Sequence, residues 1–109
     1  MTHVLIFKSK DGEYKGFNCI GHAEYGDAGE DIVCAGISVL IINTINSLEE
    51  LSDEKLSVTL NEEEGLIDCR FLTQINEKSV LLMDSLILGL KGIKKQYGKE
   101  YLDLTFEEV

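Results

Sequence analysis

The sequence has no proline, and we find no apolar run that approaches the length of a membrane span. A helix needs roughly 20 apolar residues to cross a bilayer. The chain also does not open on a basic segment followed by an apolar core and a small-residue cleavage site, the pattern of a secretory leader. We therefore expect a cytoplasmic protein without a membrane partner. Its length of 109 residues predicts one domain over residues 1–109.

Cysteine is scarce and odd in number, with Cys19, Cys34 and Cys69 scattered along the chain. Such a set does not form a paired disulfide framework and is typical of a reducing compartment. At least one thiol is therefore expected to be free.

Positive charge is also scarce, because the chain has 10 basic and 20 acidic residues, which gives a net charge of −10. A surface of this sign repels the phosphates of nucleic acids and attracts basic polypeptides at long range. Direct nucleic-acid binding is thus disfavoured, and a basic protein is the expected partner. Acidity that only maintains solubility is an equal alternative, since net charge names no ligand.

The first third of the chain predicts a β-hairpin. Residues 3–8 are rich in β-forming side chains, the pair Asp11–Gly12 is a strong turn signal, and residues 14–22 form the return strand. Period-two alternation divides this strand into two faces. One face carries Lys15, Phe17, Cys19 and Gly21, and the other carries Tyr14, Gly16, Asn18, Ile20 and His22.

The rest of the chain alternates between helical and strand patterns. Helices are predicted from residue 31 to about 51 and over residues 77–97, and strands over residues 55–61, 66–73 and 101–106. The order ββαββαβ predicts a two-layer α+β domain, in which a largely antiparallel sheet carries two helices on one face.

Two residues could form a reactive pair around the start of the first helix. If Asp31 is the N-cap, Cys34 occupies the third helical position, where free amides and the helix dipole stabilise a thiolate. His22, at the end of the preceding strand, could then serve as general base and acid. The intervening residues 24–30 are acidic and contain Gly26 and Gly29, which predicts an exposed loop.

The residues alone leave two other interpretations open. Cys34 could be one of the many cysteines that are buried and inert, and His22 could be a solvated strand-end histidine. Together with Cys19 and Cys69 they also supply the four ligands of a zinc site. Alternation argues against zinc, because Cys19 and His22 point to opposite faces of the strand. No metal and no cofactor are expected, and Cys19 and Cys69 are interpreted as small apolar core residues.

Residues 21–23 (GHA) and 31–38 (DIVCAGIS) closely resemble the two signatures of the Prp family, the bacterial ribosomal-processing cysteine proteases. The resemblance extends to chain length and to the order of the elements. Gly36 departs from it, since the family usually has alanine there, and glycine should weaken the helix by about 1 kcal/mol.

The resemblance implies a homodimeric endopeptidase that removes an N-terminal extension from large-subunit ribosomal protein twenty-seven. It makes Cys34 the nucleophile and His22 the general base, with Asp31 and Ser38 as supporting residues. The loop with Gly26 and Gly29 becomes a lid over the substrate. A dimeric module that binds a basic ribosomal protein without cleaving it is the alternative function.

Overall fold

The computed structural model describes residues 1–21 and 28–109, with the backbone alone for residues 28–31. In these two ranges it contains five strands and two helices, in the predicted order ββαββαβ. The elements are β1 (Thr2–Lys8), β2 (Tyr14–Ile20), α1 (Ala28–Leu51), β3 (Leu56–Asn61), β4 (Leu66–Phe71), α2 (Glu77–Tyr97) and β5 (Leu102–Glu108).

The strands form one mixed sheet in the order β3-β4-β2-β1-β5. The pairs β1–β2, β2–β4 and β3–β4 are antiparallel, and β1–β5 is parallel. A parallel pair needs a long crossover, and the chain between β1 and β5 supplies it. The predicted α+β class and the largely antiparallel sheet are confirmed.

The core lies between the sheet and the two helices, which pack against each other. The sheet contributes Val4, Ile6, Phe17, Cys19 and Cys69, all buried. The fully buried helix residues that meet them are Ile37, Ile41, Leu48, Met83 and Leu90. Burial of the two cysteines agrees with their interpretation as apolar core residues.

The β1–β2 hairpin differs from simple alternation at Tyr14. The register shifts between Phe7 and Lys8, so that Phe7 lies opposite Gly16 while Lys8 lies opposite Tyr14. This β-bulge reverses the face of the strand beyond it. Tyr14 therefore joins the core face, where its hydroxyl donates a 2.5 Å hydrogen bond to Asp84 Oδ1, and the predicted separation of Tyr14 from Phe17 is wrong.

Helix α1 begins at Ala28, three residues before the predicted start. Asp31 is thus inside the helix and is not its N-cap, and Gly29 belongs to the helix backbone and not to a loop. A single glycine costs a helix only about 1 kcal/mol relative to alanine. The apolar pattern that follows is long enough to outweigh that cost.

Helix α2 has the predicted bounds and two identifiable ends. The side chain of Asn76 accepts a 3.0 Å hydrogen bond from the amide of Ser79, which makes it the N-cap. At the other end Gly98 has a φ of 112° and its amide donates to the carbonyl of Lys94 at 3.0 Å. Gly98 therefore caps the C-terminal end of α2.

The expectation that no apolar run approaches the length of a membrane span is wrong for α1. Its 20 residues Ile32–Leu51 are long and apolar enough to cross a membrane by length and composition. Helices in the cores of globular domains also pass that test, and Val33, Ile37 and Leu48 bury the inner face of this one against the sheet.

Candidate active site

Cys34 lies on the sheet-facing side of α1, near the first residue of β1. Its side chain is largely buried, with 9% of the residue exposed, and its Sγ atom lies 3.1 Å from Oγ1 of Thr2. Thr2 is itself buried on β1, with 3% exposed. A hydroxyl can donate to a thiolate, so this contact can stabilise the charged form of the sulfur.

The position of Cys34 along α1 corrects one part of the prediction. The helix begins at Ala28, so Cys34 is six residues further on and not at the third helical position. The field of a helix terminus acts mainly within its first turn. The helix dipole therefore contributes less at Cys34 than the sequence suggested, and the contact with Thr2 becomes more important.

The other two thiols are held in the uncharged form. Burial, followed by the charge of the nearby Cys34, raises the pKa of Cys19 to about 11. Burial also raises the pKa of Cys69 to about 12, with Asp68 and Glu49 acting in the same direction. Both thiols remain protonated at neutral pH, and only the thiolate is a good nucleophile. Cys19 and Cys69 are therefore poor nucleophiles at neutral pH.

Two glycines bring the β3–β4 turn close to the end of β2. The amide of Gly21 donates to the carbonyl of Gly65 at 3.3 Å. A Cβ atom at Gly65 would lie 2.1 Å from the Gly21 carbonyl oxygen, and one at Gly21 would lie 2.6 Å from Thr2 Oγ1. Gly65 also has a φ of 64°, which favours glycine. Larger residues at either position would push this edge of the site apart.

A cavity of about 330 Å³ opens beside this glycine contact. Ser38, one helical turn after Cys34 on the same face of α1, contributes to its wall. The lining residues are Gly21, Ser38, Ile42, Leu60, Asn61, Glu62, Gly65, Leu66 and Ile67. The cavity can therefore hold an extended apolar chain segment next to the Cys34 end of α1.

The remaining predicted site residues are only partly described. His22 and Gly26 lie outside the described residues, while Gly29 and Asp31 belong to the backbone of α1. Among residues 1–21 and 28–109 no cluster of histidine, cysteine and acidic side chains could hold a metal ion. The zinc alternative included His22 and is not tested by this observation.

Sequence reasoning missed Thr2 and Gly65. Nothing local in the sequence indicates that Thr2 contacts Cys34. Gly65 lies in the turn between β3 and β4, and its close approach to Gly21 depends on the pairing of β2 with β4. Both contacts join residues that are distant in sequence, so alternation and spacing could not reveal them.

Residues 1–102 match the family model described as cysteine protease Prp. The chain belongs to the Prp family of cysteine proteases. The ribosomal processing cysteine protease Prp of Staphylococcus aureus (strain Mu50 / ATCC 700699) is 28% identical over 99 residues, which cover 91% of this chain and 93% of that protein. The predicted resemblance and the predicted cysteine protease class are confirmed.

Two solved structures of the Prp protease from S. aureus resemble this fold closely. The complex with a substrate peptide has a TM-score of 0.90 and 25% identity, and covers 98% of this chain and 100% of that one. The complex with a covalently linked product peptide has a TM-score of 0.86 and 26% identity, with the same coverage. The Prp fold is thus known to accommodate a peptide in its S. aureus member.

Proposed function

We propose that this Prp protein removes an N-terminal extension from large-subunit ribosomal protein twenty-seven, with Cys34 as nucleophile and His22 as general base. The observation that carries the assignment of Cys34 is the contrast among the three thiols. Cys19 and Cys69 are core residues with raised pKa values, whereas Cys34 contacts a hydroxyl near a cavity. The covalently linked product in the S. aureus relative is consistent with a nucleophilic mechanism.

The mechanism proceeds through an acyl-enzyme. His22 takes the proton of Cys34, and the sulfur attacks the scissile carbonyl carbon. The C–N bond then breaks, and the imidazolium of His22 transfers its proton to the leaving amine. Water, deprotonated by His22, attacks the thioester, which releases the carboxylic acid and restores the thiol of Cys34.

Ser38, Asp31 and the lid have supporting roles in this proposal. Ser38 lines the cavity beside Cys34, so its hydroxyl is suited to hydrogen bonding with the backbone of a bound peptide. Asp31, within the start of α1, is proposed to support that part of the helix. Residues 28–30, with Gly29, belong to α1, so the lid predicted over residues 24–30 is proposed to comprise residues 24–27, with Gly26, and its closure over the substrate would exclude water.

Charge and exposed apolar area support the proposed partners. The net charge of −10 favours a basic ribosomal protein in the cytoplasm over nucleic acid. Leu81 and Leu88 of α2 are 69% and 73% exposed. Exposed apolar side chains of this size support a homodimer, which sedimentation at several protein concentrations would test.

The experiment that tests the function compares Cys34→Ala with Cys19→Ala on an extended ribosomal-protein substrate. Loss of the nucleophile should lower kcat/KM by at least about 10⁴-fold. Cys19→Ala removes a core thiol of the same size and should leave cleavage within a few fold once folding is confirmed by circular dichroism. Cleavage by Cys34→Ala at the parent rate would reject the assignment, and stoichiometric binding without cleavage by the parent protein would favour the binding-module alternative.

A further inference from the structure

Strand β3 is an edge of the sheet that carries no charge. Its sequence is LSVTLN, and among the described strands only β4 pairs with it. Val58 and Leu60 are 39% and 66% exposed. Natural sheets usually protect such edges with charged residues, proline or a covering element, because an open edge readily pairs with another extended chain. An edge of this composition is suited to pairing.

The hydrogen-bonding groups on this edge can be assigned from the register. The amide of Leu72 donates to the carbonyl of Lys55 at 3.1 Å, so these directly opposed residues form a hydrogen-bonded pair. Hydrogen-bonded and non-bonded pairs alternate along an antiparallel ladder. Leu56, Val58 and Leu60 therefore direct their backbone N–H and C=O groups away from β4, toward the open side.

The open edge is continuous with the cavity of the candidate active site. Leu60 is opposite Ile67 in the β3–β4 ladder, and both side chains line that cavity with Ser38 and Ile42 of α1. Val58 is opposite the buried Cys69 and so shares the helix-facing side. A strand added beside β3 would place every second side chain above this cavity.

We propose that the substrate segment of the ribosomal protein binds as an added antiparallel or parallel strand on β3, hydrogen-bonded to the outward groups of Val58 and Leu60. Such strand addition takes affinity from the main chain and specificity from the pockets under alternate side chains. The three glutamates at residues 62–64 follow β3 directly. They would attract the basic part of the same substrate. This inference rests on the proposed function for the identity of the peptide.

Amide hydrogen exchange tests the pairing without any need for cleavage. The Cys34→Ala variant is mixed with a synthetic peptide that spans the extension and the cleavage site of the host's ribosomal protein twenty-seven. Exchange at the amides of Val58 and Leu60 should slow at least tenfold at saturation. The amide of Thr59, already directed toward β4, and those of the opposite edge strand β5 serve as internal controls and should not change.

Two outcomes of that measurement would overturn the proposal. One is peptide binding, detected by fluorescence anisotropy, that leaves exchange at Val58 and Leu60 unaltered. The other is protection of these amides in the absence of peptide that grows with protein concentration, because a second copy of the chain would then occupy the edge. Neither depends on catalysis, so failure of the nucleophile assignment would appear separately, in the cleavage assay of Cys34→Ala.

A matched pair of variants isolates the backbone contribution. Val58→Pro removes an N–H that directs outward and that β4 does not use, whereas Val58→Thr retains the N–H with a side chain of similar shape. The proline variant should bind the peptide about tenfold more weakly than the threonine variant. Equal affinities in the two folded variants would contradict the proposal. If the proline variant does not fold, the exchange measurement on Cys34→Ala decides alone.

Discussion

The two ends of α1 are held by different chemistry. Near its start, the polar contact described for Cys34 is one hydroxyl, Oγ1 of Thr2, 3.1 Å from the sulfur. Near its other end, Ser52 donates to the carbonyl of Leu48 at 2.9 Å and pairs with Ser79 of α2 at 2.8 Å.

The C-terminal network also includes the N-cap of α2. Nδ2 of Asn76 donates to the carbonyl of Ser52 at 2.8 Å, while its Oδ1 accepts from the amide of Ser79. Because Ser52 donates to Leu48, the hydroxyl of Ser79 donates to Ser52. The helix is therefore anchored far from Cys34, and we infer that stability and reactivity can be changed separately at its two ends.

The largest expected effect is selective alkylation of Cys34. Iodoacetamide reacts with thiolates, and Cys19 and Cys69, with pKa values of about 11 and 12, carry very little thiolate at pH 7.5. Peptide mapping after brief treatment should find Cys34 modified at least about 100-fold faster than the other two. Equal rates at pH 7.5 would contradict the contrast among the thiols.

Asn76→Ala should reveal how strongly the distant end is anchored. It removes a helix cap and leaves the Ser52 carbonyl without its amide donor, which together should lower the free energy of unfolding by about 2 kcal/mol. Urea denaturation measures the loss. Asn76→Ser is the matched control, because its hydroxyl oxygen can still cap the helix while the amide donor to Ser52 is lost, and about half the destabilisation is expected.

The same variant tests whether the two ends are independent. At a temperature at which Asn76→Ala is folded, its kcat/KM should stay within about twofold of the parent, since no residue near Cys34 is altered. A loss of activity as large as tenfold in the folded variant would mean that the anchored end also positions the nucleophile.

Thr2→Val should affect reactivity more than stability. Valine has nearly the same shape as threonine but lacks the hydroxyl that contacts Cys34 Sγ. Loss of one hydrogen bond to a charged group should slow alkylation of Cys34 by about tenfold at pH 7.5. Thr2→Ser retains the hydroxyl and should react like the parent. If both variants behave alike, the contact does not stabilise the thiolate.

Much of the fold was predictable, because its signals are local. The helical pattern over residues 77–97 predicted both ends of α2 correctly. The turn at Asp11–Gly12 joins β1 and β2, and Gly12 has a φ of 85°. Strand order was not predicted, since the pairing of β1 with β5 and of β2 with β4 depends on contacts across the whole chain.

The sequence predicted which residue is the candidate nucleophile, but not what surrounds it. The pattern around Cys34 singled out the residue, but the helix start was placed at Asp31 because Gly29 and its acidic neighbours are typical of a loop. Because of that error, a larger contribution of the helix dipole was expected at Cys34 than its position in α1 allows. The face of Tyr14 was also predicted wrongly. The β-bulge beside it shifts the register, and a bulge leaves no clear signal in the alternation of polar and apolar residues.

Gly36→Ala is the smallest expected change and examines the stretch of α1 just after Cys34. Glycine in a helix interior is less favourable than alanine by about 1 kcal/mol. Among the residues that the structure describes, a Cβ atom at Gly36 would meet only Ile93 Cδ1, at 3.8 Å, which is ordinary contact. The midpoint temperature of thermal unfolding should therefore rise by a few degrees, since 1 kcal/mol raises it by about 4 °C or more in a domain of this size.

Gly89→Ala is the comparison variant. Alanine improves the helix propensity there by the same amount, but its Cβ atom has less room than at Gly36. Its Cβ would lie 3.1 Å and 3.3 Å from the two methyl carbons of Leu40, where α2 packs on α1. Strain between the helices should offset the gain, so that Gly36→Ala is the more stable of the two variants. The reverse order would mean that α1 needs a glycine beside Cys34 for a reason other than space. If Gly36→Ala is instead the more stable variant but has a lower kcat/KM, the glycine at this position serves activity at the expense of stability.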